Sequence, residues 1–208
     1  MSFRLLSCLL AACLLAAPAP AQTKADYDKI EKLLNDGKAE FLSLLDKVTD
    51  EQWNVHAPNI RHSIGEEAEH IALSENDLQQ VIQGALRSPE QPAAPQRLAG
   101  KLEVIHEVLL GKDAVAEGYD PPKKLINKAE VLEFYAAGNR KLMALLASSR
   151  DKPLAQHVYV HPSSKIGELT GLQWFYYIAY HRERHIRQIK ALLENPAIPG
   201  AVQSAALR

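Results

Sequence analysis

The sequence predicts an all-α fold, a four-helix bundle with a long crossover between its second and third helices. Three observations carry that prediction. Four stretches place apolar residues three or four apart, each stretch opens on an N-terminal capping pattern, and strand patterns are nearly absent. The first helix runs from Thr23 to about Val48, with Thr23 and Asp26 as a capping pair and Ile30, Leu33, Leu34, Phe41, Leu44, Leu45 and Val48 as its apolar stripe. Ser63 and Glu66 have capping-box spacing at the start of the second, which carries Ala68, Ile71, Ala72, Leu78, Val81 and Ile82 until Ser88-Pro89 stops it. The third opens at Asn127 with Glu130 three residues on, and ends near Ser148-Ser149. Thr170 and Gln173 open the fourth, which runs through Trp174, Phe175, Ile178, Ile186, Ile189 and Leu192 to Asn195-Pro196. Between the second and third lies the long link, with Pro89, Pro92 and Pro121-Pro122 and an apolar piece from Leu102 to Leu110 that predicts a turn or two of helix. His157-Val-Tyr-Val160 is the one short extended candidate.

The chain divides at its ends. Arg4, the apolar run Leu5 to Ala17 and the small-x-small site Ala19-Pro20-Ala21 predict a secretory signal over residues 1–21, followed by the bundle over 22–195 and a C-terminal tail over 196–208. The apolar run is shorter than the roughly 20 residues a spanning helix needs, so no membrane span is expected. A competing reading takes Leu10-Ala11-Ala12-Cys13 as a lipobox, with Cys13 lipidated. Cleavage after Ala21 removes both cysteines, Cys8 and Cys13, so disulfides, thiolate ligands and a cysteine nucleophile are excluded from the mature chain. Twenty-four Lys and Arg against 25 Asp and Glu give no electrostatic reason to expect a nucleic-acid partner. The expected location is periplasmic or extracellular.

Two histidine pairs have spacing four. His157 and His161 flank Val-Tyr-Val and precede Pro162, which predicts an extended or looped segment and locally bonded histidines. His181 and His185 lie inside the fourth helix, where spacing four stacks two imidazoles on one face, together with Trp174, Tyr177, Ile178 and Gln188. Arg182, Glu183 and Arg184 then form the solvated face. His70, in mid-helix on the second element, is the candidate third ligand. Glu66 and Glu67 are placed to fix its tautomer, and Tyr177 and Gln188 are further candidates for support around the site. The zincin pattern is excluded because Arg182, not glutamate, follows His181, and Glu183 lies about 200° around the helix. A ferritin-like di-iron site needs two Glu-x-x-His pairs. Glu67-x-x-His70 supplies one, but Ile178 stands three before His181. A mononuclear three-histidine site remains, beside the alternative of satisfied core histidines.

Ser63-Ile-Gly-Glu-Glu-Ala-Glu-His70-Ile-Ala, His161-Pro162, Gly167-Glu-Leu-Thr170, Gln173-Trp174 and Tyr177-Ile-Ala-Tyr-His181-Arg-Glu-Arg-His185-Ile-Arg-Gln188 together resemble the DinB-like superfamily of bacterial four-helix bundles, which includes bacillithiol and mycothiol transferases. The resemblance implies that His70, His181 and His185 hold a divalent metal at one end of the bundle, with water in the open positions. Zinc or nickel suits imidazole ligands best, with iron or manganese also admitted. It also admits a homodimer, for which Phe175 and Tyr176, facing away from the histidines, would be available. Three functions are consistent with this. They are a metal-dependent hydrolase or transferase acting on a small molecule, its catalytic groups unnamed; a non-catalytic metal-binding or interaction module; and a bundle with purely structural histidines.

Overall fold

The structure, a computed structural model, describes residues 23–112, 127–161 and 166–200. The segment expected to be an export signal, with Cys8 and Cys13, as well as Pro121-Pro122, the segment from Pro162 to Lys165 and the last eight residues of the tail lie outside the described residues. The fold is mostly helical. Helices α1 (Lys24–Asp46), α2 (Asp50–Trp53), α3 (Ile64–Arg87), α4 (Ala94–Arg97), α5 (Lys101–Leu110), α6 (Lys128–Ser148) and α7 (Gly171–Leu193) follow in that order, with strands β1 (Val158–Val160) and β2 (Glu168–Thr170) between α6 and α7.

The four long helices begin where their capping residues predict. Thr23, Ser63 and Thr170 each accept from the backbone N–H three residues on, and the residue there returns its side chain to the cap's own N–H. Asn127 caps α6 through Glu130 N–H. Each cap of this kind is worth about 1 kcal/mol. The apolar piece in the long link is a ten-residue helix, α5, rather than a turn or two. His157-Val-Tyr-Val160 supplies β1, antiparallel to β2, with Val158 opposite Thr170 and Val160 opposite Glu168. Thr170 thus ends the strand and caps α7, and Gly171 N–H donates to His157 O at 2.8 Å, which ties the start of α7 to the strand pair. After α7 the chain turns back, burying Ile198 and accepting a hydrogen bond from Gln52 Nε2 at Pro199 O, 2.8 Å.

Helix α7 packs on α1, α3 and α5; α3 also packs on α6, and α6 on α1. Among the described residues two large apolar clusters fill the interior, beside a small one of Ala94, Leu98 and Val158. One gathers Ile30, Leu34, Ile82, Leu142, Trp174, Phe175 and Ile178, the other Phe41, Leu45, Ile64, Ile71, Tyr135, Ile186 and Ile189. On every one of the four long helices a polar or small residue separates the two sets: Gly37, Glu75, Asn139 and Arg182. Arg182 is fully buried. Its Nε and Nη2 donate to Glu75 at 2.6 and 2.8 Å, Nη1 donates to Leu34 O at 2.6 Å, and Nη2 also reaches Asn139 Oδ1 at 3.3 Å. The guanidinium lies 5.4 Å from the centre of the Tyr135 ring. Burial opposes its charge, but Glu75 more than offsets that and raises its pKa further. Gly37 makes room for this side chain, since a Cβ there would stand 3.2 Å from Arg182 Cδ.

This arrangement corrects two expectations. Arg182 and Arg184 do not belong to a solvated face. Arg182 is the hub of the core's polar layer and Arg184 is 8% exposed, while Glu183 pairs with Arg187 on the outside. A spacing rule treats arginine as a surface residue, whereas a guanidinium can be buried once a carboxylate and carbonyls satisfy it. Phe175 and Tyr176 are buried within the chain's own core at 0% and 2% exposure, so they offer no face to a second copy.

Tyr135 Oη is buried and, among the described residues, has no hydrogen-bond partner. An unsatisfied buried hydroxyl costs about 1–3 kcal/mol. Tyr135→Phe keeps the ring against Phe41 and the guanidinium and is expected to raise the unfolding midpoint in urea; a fall of 1 kcal/mol or more would refute that assignment.

Candidate metal centre

His70 sits in the second turn of α3, and His181 and His185 sit one turn apart on α7, where α3 and α7 pack together. The structure brings all three together. His70 Nε2 and His185 Nε2 each lie 3.3 Å from His181 Nε2, and one nitrogen from each ring falls within 4.8 Å of the others. All three are buried, at 8%, 4% and 7% exposure. Burial, reinforced by the neighbouring His185, pushes the His70 pKa down to about 3. Burial, with His185 and His70 beside it, holds His181 well below the ordinary histidine value. Both imidazoles are therefore neutral near pH 7, the form that ligates a metal.

The tautomer of His185 is set from behind. Its Nδ1–H donates to Glu67 Oε2 at 2.6 Å, and His62 Nδ1–H donates to Glu67 Oε1 at 3.0 Å. Burial alone would raise the pKa of Glu67, but the two histidines hold it below the ordinary value. The carboxylate is thus anionic, and His185, held by it at Nδ1, points its Nε2 towards His181. Tyr177, one turn before His181, stacks on its ring at 6.0 Å and 15°. His181 Nδ1 is buried without a hydrogen-bond partner among the described residues.

The donor set fits a small cation. Two nitrogens about 2.0–2.1 Å from one tetrahedral ion stand about 3.3–3.4 Å apart, the separation found on both sides of His181. The carboxylate behind His185 is the outer support that metal-bound histidines ordinarily have.

A cavity of about 340 Å³ opens beside the three rings. Its walls come from α3 (Glu67, His70), from α7 (His181, Arg184, His185, Gln188, Ala191, Leu192) and from the loop Asn59–His62. That loop is placed by its neighbours. Trp53 of α2 presses on Gly65 in the first turn of α3, where a Cβ would come within 2.7 Å of Trp53 Nε1 and 2.9 Å of its carbonyl oxygen. Asn59 takes a left-handed turn at φ 62°.

Of the supporting residues expected from the sequence, Glu67 touches His185 rather than His70, and Tyr177 touches His181. Gln188 lines the cavity, its Oε1 buried and unpartnered among the described residues. Glu66 turns its carboxylate instead to the helix cap, accepting from Ser63 N–H at 2.9 Å and lying 3.2 Å from His56 Nε2. His62 and Arg184 were not anticipated. His62 stands next to the Ser63 cap and five residues before Glu67, a spacing no helical rule covers because His62 is outside the helix. The other histidine pair stays apart from this site: His157 bonds Ser88 O at 2.8 Å and His161 packs edge-on against Trp174.

A mostly helical protein with three converging buried imidazoles beside a cavity is one that could hold a metal ion at that point. The family model described as the DinB superfamily matches residues 33–189, from within α1 to near the end of α7, and the chain belongs to that superfamily. No curated protein and no solved structure matches it. Among the described residues no helix is long and apolar enough to cross a membrane.

Removing the carboxylate behind His185 tests the support it gives. Glu67→Ala is expected to weaken zinc binding about 10- to 100-fold, measured by competition with a chromogenic chelator. Unchanged affinity would show that Glu67 does not orient the ligand.

Proposed function

We propose that this protein is an exported four-helix bundle in which His70, His181 and His185 hold one divalent metal ion, and that it is a metal-dependent enzyme of hydrolase or transferase class acting on a small molecule. The observation that carries the reading is the convergence of three buried imidazole nitrogens on the wall of the cavity. The packing of α1 on α7, α7 on α3, α3 on α6 and α6 on α1 supports the bundle, and the pattern of Arg4, the apolar run and Ala19-Pro20-Ala21 supports export. Three imidazoles suit zinc or nickel, with iron or manganese also admitted.

When bound, such an ion would polarise a carbonyl or phosphoryl oxygen or acidify a water molecule. The chain's own groups do the rest. Glu67 and His62 orient His185, burial keeps His70 and His181 neutral, and the loop Asn59–His62 forms the cavity wall that faces the rings. Gln188 and Arg184 stand where they would meet a molecule entering the cavity.

The test uses protein purified without an affinity tag. About one ion per chain is expected, together with chelator-sensitive turnover in a screen of ester, amide, phosphoester and thiol-addition substrates. Metal with uniform inactivity would favour the non-catalytic binding module. Protein that takes up no ion on dialysis against zinc or nickel would sink the metal reading itself.

A further inference from the structure

The wall of the cavity carries a buried acceptor to which, among the described residues, nothing donates. It is Gln188 Oε1, one turn beyond His185 on α7. The charged groups of the same wall are engaged: His185 and His62 bond the two oxygens of Glu67, and Arg61 and Arg184 have partners within the chain. Folded proteins seldom leave a buried acceptor unpaired. Tyr135 Oη is unpartnered too, but that ring belongs to the core and takes no part in the cavity wall. Ile60 and Leu192 give the cavity an apolar lining, and its volume of about 340 Å³ lies at the lower end of the range for small-molecule sites.

We infer that the cavity takes a small uncharged carboxamide, its N–H donating to Gln188 Oε1 and its carbonyl oxygen turned to the three histidines. The place of the carbonyl rests on the reading of the histidines as metal ligands, because a bound ion is what would draw that oxygen. An amide oxygen such as Oε1 can only accept, so the ligand must bring a donor. Among the groups such an ion acts on, an ester has a carbonyl but no donor, and a thiol is a weak donor without a carbonyl. A phosphoester is anionic, whereas the charged groups of this wall already have partners. An amide joins a carbonyl to an N–H without net charge. Gln188 then selects the molecule that enters and leaves the ion to the histidines.

The experiment is calorimetric titration of zinc-loaded protein with N-methylhexanamide and with methyl hexanoate, its ester isostere, on the unaltered protein and on Gln188→Met. Zinc content per chain is measured first, and Gln188→Met is expected to keep its zinc. The ratio of amide to ester affinity is expected to fall about tenfold in the variant, a comparison in which the different hydration of the two ligands cancels. On the unaltered protein N,N-dimethylhexanamide, an amide without an N–H, is expected to bind about tenfold more weakly than N-methylhexanamide. An unchanged ratio in Gln188→Met, equal binding of the two amides, or zinc-loaded protein that binds no amide would each overturn the inference while leaving the metal site intact. Unaltered protein that takes up no zinc would overturn the metal reading, and with it the place given to the carbonyl. Should Gln188→Met fail to fold by circular dichroism, the comparison of the two amides on the unaltered protein decides.

Discussion

Glu75→Ala is expected to destabilise the fold by about 3–5 kcal/mol, a large part of the 5–15 kcal/mol that holds a typical domain together. Glu75 is 2% exposed and Arg182 0%, so neither charge has water to fall back on. The pair is held by two short hydrogen bonds, and Leu34 O and Asn139 Oδ1 take further guanidinium N–H groups. Removing the carboxylate leaves a cation in the apolar interior, whose desolvation is then offset only by neutral acceptors. Arg182→Met combined with Glu75→Leu should recover most of the loss, because replacing both partners by apolar groups of similar volume is often close to neutral. Urea unfolding of the single and double variants measures this. A Glu75→Ala variant within 1 kcal/mol of the parent would show that the interior tolerates the lone charge.

The second large effect concerns the metal. His181→Ala is expected to abolish retention of an ion on dialysis, where the parent keeps about one per chain, because His181 Nε2 is the nitrogen that lies 3.3 Å from both of the others. Two imidazoles alone leave half of a tetrahedral site unheld. The stabilisation that saturating zinc confers, about 2.7 kcal/mol at a hundredfold excess over Kd, should disappear with it. His157→Ala is the matched control. It removes one member of the other spacing-four pair, and should leave both metal content and the zinc-dependent shift in melting temperature unchanged. Full retention of metal by His181→Ala would end the assignment of that residue as a ligand.

How much of this was legible beforehand follows from which signals are local. Thr23, Ser63, Asn127 and Thr170 announce their helices because a cap and its partner are three residues apart, and each helix starts one residue later. His181 and His185 share a face for the same kind of reason. The pairing of His70 with them depends on how α3 packs against α7, which periodicity does not specify; its mid-helix place among polar neighbours made it a candidate, and the family resemblance implied the same three residues. What the sequence hid is non-local. Arg182 looks like a surface residue until Glu75, 107 positions away, is seen to meet it, and the chain gives no sign of that meeting. Strand β2 is three residues long and merges into a helix cap, too short to show an alternating pattern. His62 acts from a loop, where position has no period.

The buried arginine has one more consequence. It fastens α7 to α1, α3 and α6 one residue beyond His181, so the amide hydrogens around residues 181–186 should exchange with solvent only when the whole molecule unfolds. The amides of residues 59–62, on the facing wall and in large part exposed, should exchange through small local openings many orders of magnitude faster. Deuterium uptake would then divide a single cavity into a slow side and a fast side, with the imidazoles of α7 on the slow one.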